Sequence, residues 1–200
     1  MKKLLLCILI LPCLAYGQAT EKEPADHLLY VSAGMQGYNC YQPNLVVGLG
    51  YEHSLKGNWK LNYGVDVGRY YFHIPMGLPL GIIIYAITAA KGRDGFPDII
   101  RLASMIPEGA GYSLKLTPSL ALTPYLNLLG LDYIERSHCT DLPIGADDQH
   151  IYAMLSLGGK LSMELGPNMV LSGFSEYRGS WGGQIHGWQS GIRLGHKVNF

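Results

Sequence analysis

Charge is scarce in this sequence. Asp, Glu, Lys and Arg make up 15% of its 200 residues, against roughly 25% in an average soluble domain. The signs balance, with 15 basic and 15 acidic side chains. The absence of a basic excess argues against a nucleic-acid binder, and the overall lack of charge argues against intrinsic disorder. Cysteine is limited to four residues, and none sits at metal-ligand spacing. There is no glycine-rich phosphate loop, no nucleophile-elbow pattern and no paired-histidine zinc signature. No metal and no cofactor is therefore expected. The 26 glycines lack the period of three that collagen requires. What is abundant is tyrosine, 14 residues beside 3 Trp and 4 Phe, in a chain that is 48% hydrophobic.

The first segment reads as processing signal rather than structure. Met1-Lys2-Lys3 is a positive n-region, Leu4 to Leu14 is apolar, and Ala15-Tyr16-Gly17 places small residues before a cut. This pattern predicts a secretory signal over residues 1–17, cleaved after Gly17. The stretch is too short for a spanning helix. Cys7 and Cys13 leave with it, so the mature chain keeps Cys40 and Cys139. Both fall in loops placed at the same end of the fold. Export permits a disulfide between them, and bridged and free thiols both stay open.

The C-terminal strand sets the class. Trp188, Ser190, Ile192, Leu194, His196, Val198 and Phe200 lie on one face, and Gln189, Gly191, Arg193, Gly195, Lys197 and Asn199 on the other. Strict alternation over this length exceeds the usual five or six residues of a soluble strand. It matches a membrane barrel strand of about 9–11 residues, apolar toward lipid and polar toward the lumen. The same reading places strands at about 27–38, 44–54, 59–73, 109–117, 122–135, 150–165 and 169–178. The leucine-rich strand at 122–135 has ambiguous faces. The expected fold is all-β: an eight-stranded antiparallel up-and-down transmembrane β-barrel over residues 27–200, preceded by a short periplasmic segment at 18–26. A short helical insertion, about residues 76–107, is expected between strands 3 and 4. It holds a continuous apolar run, Gly81 to Ala90, then Ile99, Ile100, Leu102, Ala103 and Ile106 at helical spacing. Strand parity puts this insertion and the polar loop Arg136–Gln149 on the extracellular side.

On this register the lumen receives Glu52, Asp66, Glu164 and Glu176, together with Lys60, Lys115, Lys160, Arg178, Arg193 and Lys197. Eight strands enclose only enough space for side chains, so these charges are expected to pair. Arg193 is expected opposite Asp66 at mid-height, with Lys160 as a competing partner. His53, His73, His186 and His196 fall on outward faces. His186 and Ser190 share the outward face of the last strand, with Ser175 near. Outer-membrane lipid A deacylases place a His, a Ser and an acid on such a rim. Their close His-x-Ser pairing is absent, because Trp188 stands where the Ser should be. Four positions along a strand span about 13 Å, so His186 and Ser190 are too far apart to hydrogen-bond.

From about Asp26 to Phe200, apart from the insertion, the chain resembles the small outer-membrane β-barrel proteins of the OmpX and OmpA-barrel kind. The resemblance rests on the signal, the alternating strands and the terminal Phe200. It implies residence in the bacterial outer membrane among lipid and lipopolysaccharide. It also implies insertion by the barrel-assembly machinery, with Phe200 as the assembly signal. It does not imply one activity. The expected role is structural or interaction-mediating, through the extracellular loops and the apolar helical lid, with an envelope protein as one candidate partner. The alternatives are a lipid A or phospholipid hydrolase or acyltransferase and, third, a narrow pore.

Overall fold

The computed structural model describes residues 27–39, 41–77, 106–135 and 151–198. The signal segment, Cys40, Cys139, residues 78–105, the loop 136–150 and Phe200 lie outside the described residues, and so do the expectations attached to them.

Ten strands form one sheet: β1 (His27–Tyr38), β2 (Tyr41–Ser54), β3 (Trp59–Gly68), β4 (Tyr71–Pro75), β5 (Gly109–Tyr112), β6 (Leu114–Thr117), β7 (Leu120–Ile134), β8 (Ile151–Glu164), β9 (Met169–Ser180) and β10 (His186–Val198). All pairings are antiparallel. The sheet closes because β1 pairs with β2 on one side and with β10 on the other. Between β3 and β7, a single wall position is shared by β4, β5 and β6. The result is an eight-position barrel.

Alternation decides the faces. Leu29, Val31, Leu49, Val67, Leu157, Ile192 and Leu194 point outward and stay exposed, Leu49 by 65%. Tyr30, Ser32, Glu52, Asp66, Ser156, Lys160, Glu176 and Gln189 point inward and are buried. Such a molecule is apolar outside and polar inside, the reverse of a soluble barrel, as a bilayer demands. Exposed aromatics gather near both ends. Trp59 and Tyr112 meet edge to face, 5.3 Å apart, near the His27/Val198 end. Tyr133, Tyr177, Trp181 and Trp188 stand toward the other end. Aromatic girdles of this kind mark the headgroup levels of a membrane barrel.

The expected strand over 59–73 is a correction. It is two strands joined by a tight turn at Arg69–Tyr70, since Gly68 pairs with Tyr71, Val67 with Phe72 and Asp66 with His73. The Arg69 guanidinium lies over the Tyr70 ring, 5.0 Å from its centroid. The insertion is therefore not the connection between the third and fourth wall positions. It leaves part-way down the fourth. Met76 N donates to Leu129 O at 2.7 Å, and Glu108 N donates to Asn62 O at 2.9 Å. The chain departs and returns between the same two neighbours, and β5 continues the ladder β4 began. A bulge in β7 faces this break: Asn127 pairs with Ser156 and Gly130 with Met154, so Leu128 and Leu129 together stand opposite the single residue Leu155. The amides of both leucines take Glu108 O instead.

The turn at Lys56–Asn58 is a short 3-10 element. It holds Gly57 at φ 76° and Asn58 at φ 69°, a left-handed geometry that these two residue types tolerate best.

Candidate functional site

Among the described residues, ion pairs concentrate in the lumen, which is built in layers. At the Tyr38/Tyr71 end, Tyr38, Val46, Tyr71, Ile134, Tyr152, Met154 and Ile185 form an apolar plug. Ile185 comes from the β9–β10 connection. Its amide donates to Ser180 Oγ at 3.1 Å, which turns the side chain down into the barrel mouth.

Beneath the plug lies the first charged tier, centred on Arg178 of β9. Its Nη2 donates to Asp66 Oδ2 across the lumen at 3.1 Å. Its Nε bonds Glu176 and its Nη1 bonds the Tyr71 hydroxyl. Gln189 Nε2 donates to the same Asp66 oxygen at 3.1 Å. Next to Arg178, His73 bridges two acids, with Nδ1 on Asp132 Oδ1 at 2.5 Å and Nε2 on Glu108 Oε1 at 3.0 Å. Tyr38 donates to the other Asp132 oxygen. His73 and Arg178 together sit among the four carboxyl groups of Asp66, Glu108, Asp132 and Glu176. A polar chain runs sideways from Asn127 Nδ2 to Ser156 Oγ at 3.1 Å and on to Glu176 at 3.3 Å.

The second tier lies toward the His27/Val198 end and is centred on Glu52 of β2. Lys160 of β8 bonds it across the lumen, Lys60 approaches at 3.9 Å and Arg193 at 3.9 Å. Arg193 is otherwise held by rings, 4.2 Å from the Phe174 centroid and 4.8 Å from that of Tyr30. Desolvated contacts of this type are worth about 2 kcal/mol. Glycine makes room for the large groups: a Cβ at Gly50 would stand 2.1 Å from the Tyr30 ring. At the rim, Lys197 and Glu164 pair at 2.8 Å. Lys115 is exposed and apart from both tiers.

The structure thus brings Glu52, Lys60, Lys160 and Arg193 together in one tier and Asp66, Glu176 and Arg178 in the other. Arg193 and Asp66 do not pair as expected, since Arg178 and Gln189 reach Asp66 from above. His73 is a second correction. It points inward, because the turn at 69–70 resets the alternation. Asp132 and Glu108 join this tier without a signal in the sequence. Asp132 lies beyond the β7 bulge, which obscured its face. Glu108 begins the return from the insertion, where no alternation was in sight.

Between the tiers remains a cavity of about 10 Å³ bordered by Asp66, His73, Glu108, Asn127, Arg178 and Arg193. That is space for roughly one water. On the lipid-facing side, Ser175 and Ser190 hydrogen-bond to each other at 2.7 Å. His186 pairs in register with Gly179, four positions from Ser190. No hydrogen bond among the described residues joins it to either serine.

No family model matches the chain, and no curated protein matches it. Solved structures do. The chain is similar to Neisserial surface protein A at 9% identity, covering 86% of this chain and 97% of that one, with a TM-score of 0.51. The N-terminal β-barrel domain of Pseudomonas aeruginosa OprF is similar at 12% identity over 87% and 99% of the two chains, with a TM-score of 0.49. Ail of Yersinia pestis is similar at 10% identity over 88% and 100%, with a TM-score of 0.48. At such identities, the likeness to the Neisserial protein speaks for the fold alone.

Proposed function

We propose that this chain, which has the fold of the small outer-membrane β-barrels, is a non-enzymatic integral protein of the bacterial outer membrane with a structural or interaction-mediating role. On this reading it is exported by its signal segment, cleaved after Gly17, and inserted by the barrel-assembly machinery with Phe200 as the signal. It then resides among lipid and lipopolysaccharide, and meets an envelope partner through the parts of the chain outside the barrel wall.

One observation carries the reading: the lumen is filled. Among the described residues, an apolar plug, two ion-paired tiers and a cavity of about 10 Å³ between them occupy the lumen, which supports a barrel without a continuous aqueous path. Among the described residues no nucleophile–base pair is assembled on the lipid-facing side, and this supports a role exerted through surfaces.

The test is a pair of measurements on the refolded protein. In planar bilayers it should give no single-channel steps. Outer-membrane lipids from cells with and without it should have the same acyl-chain mass profile. Discrete conductance would restore the pore reading, and a deacylated or transferred chain would restore the hydrolase or acyltransferase.

A further inference from the structure

The cavity between the tiers lies behind an interruption in the barrel wall. β3 pairs with Gly109 at Asn62 and with His73 at Asp66, and the ladder to the fourth wall position breaks off between them. Gly64 stands in the middle of that gap and borders the cavity together with Tyr30, Glu108 and Arg193. The charges on the two sides of the cavity are unequal in opposite senses. Toward the His27/Val198 end, Lys60, Lys160 and Arg193 share Glu52. Toward the other end, four carboxyl groups surround Arg178 and His73.

Two observations call for a hydrogen-bonding guest the size of a water. Arg193 Nε is buried without a hydrogen-bond partner among the described residues, and a buried donor costs its desolvation in full unless something accepts its proton. Gly64, for its part, leaves a space that a methyl group would fit. A Cβ there would stand 3.4 Å from the Tyr30 hydroxyl and 3.7 Å from Glu108 Oε2, ordinary contact distances that push nothing aside. The nearest atoms on that side are therefore oxygens. A cavity of about 10 Å³ admits one water, and a buried water needs two to four polar partners. Arg193 Nε, Glu108 Oε2 and the Tyr30 hydroxyl, whose own proton goes to Tyr63 O at 3.5 Å, provide them. A guanidinium at the border disfavours a cation, and the carboxyl groups of Asp66 and Glu108 disfavour an anion.

We propose that this cavity is a binding site for one structural water, which accepts from Arg193 Nε and donates to Glu108 and to the Tyr30 hydroxyl oxygen. Its dipole then lies along the charge difference, oxygen toward the basic tier and hydrogens toward the acidic one. The water couples the two tiers at the height where the wall is interrupted.

The test uses the protein refolded in detergent with nitrogen-15 arginine. The Arg193 Nε–H resonance should show a dipolar cross-peak to water with the sign of a long-lived complex, a readout that needs no variant. Gly64→Ala fills the space with a methyl group. It should abolish that cross-peak and lower the folded-to-unfolded ratio by about fivefold or more. Gly64→Ser puts a hydroxyl oxygen in place of the water and should recover most of that loss. Gly173→Ala, which also has open space for its Cβ but lies on the lipid face, should leave the cross-peak unchanged. A dry cavity reverses the order, with Gly64→Ala more stable than the parent and Gly64→Ser less stable than Gly64→Ala. That order, or no water cross-peak in the parent, would overturn the site. So would a stability that differs between sodium and potassium at equal ionic strength, because that signature belongs to a bound cation.

Discussion

At the scale of single residues, the barrel is governed by how closely its inner surface is filled. Gly34 and Gly191 face each other across β1 and β10. A Cβ on Gly34 would meet the Ser190 carbonyl oxygen at 2.3 Å, and one on Gly191 would meet the Ala33 carbonyl oxygen at 2.3 Å. Backbone cannot swing aside as a side chain can. Gly34→Ala and Gly191→Ala should each cost about 1–3 kcal/mol. Gly159 and Gly173 have open space where a Cβ would go. Gly159→Ala and Gly173→Ala should be neutral or slightly stabilising, because alanine gives up less freedom on folding. Urea titrations in lipid vesicles measure all four, and equal costs on both faces would contradict the packing described. Arg178 follows the same logic for charge. Arg178→Met leaves Asp66 and Glu176 without their principal cation, so folding titrations should show a loss of about 3–5 kcal/mol.

At the scale of elements, what sequence shows depends on whether alternation survives without interruption. β8 and β10 alternate along their length and β1 does so as far as Gln36, and their faces can be read directly. β3 and β4 misled because Gly68-Arg69-Tyr70-Tyr71 contains none of the Asn-Gly or Asp-Gly signals that announce a two-residue hairpin. The apolar pattern continues through the turn as if nothing happened, while the real parity inverts. His73 was thereby assigned to lipid when it bridges Asp132 and Glu108. In β7 the bulge sets Leu128 and Leu129 opposite the single residue Leu155, so one run serves two registers. The luminal tiers were legible as a set of inward charges, but not as specific pairs, since partners across a barrel depend on height and on side-chain reach. The hairpin makes a direct prediction. With single cysteines at 72 and 73, a membrane-soluble maleimide should label position 72 rapidly and position 73 slowly in the folded barrel. The reverse order would mean that β3 runs on unbroken through residue 73.

At the scale of the whole molecule, closure is what turns seven sequential strand contacts into one cooperative unit, and Glu52 with Lys160 offers a way to measure it. β2 and β8 hold the second and sixth of the eight wall positions, diametrically opposite. Their side chains meet only because the sheet has come full circle. The pair is buried, with Glu52 1% and Lys160 3% exposed, so removing one member leaves the other in a medium that penalises an unpaired ion. The two single losses should differ. Lys160→Met leaves Glu52 with Lys60 and Arg193 nearby at 3.9 Å each, so its cost should fall toward the low end of about 3–5 kcal/mol. Glu52→Leu removes the one carboxylate on which three cations converge and should cost more. The double variant should lose less than the sum of the two, because an apolar pair carries no desolvation penalty. A coupling above about 1 kcal/mol exceeds what distant, independent sites show. Folding titrations of the four proteins in vesicles decide it. Strictly additive losses would mean that β2 and β8 do not share a network across a closed lumen.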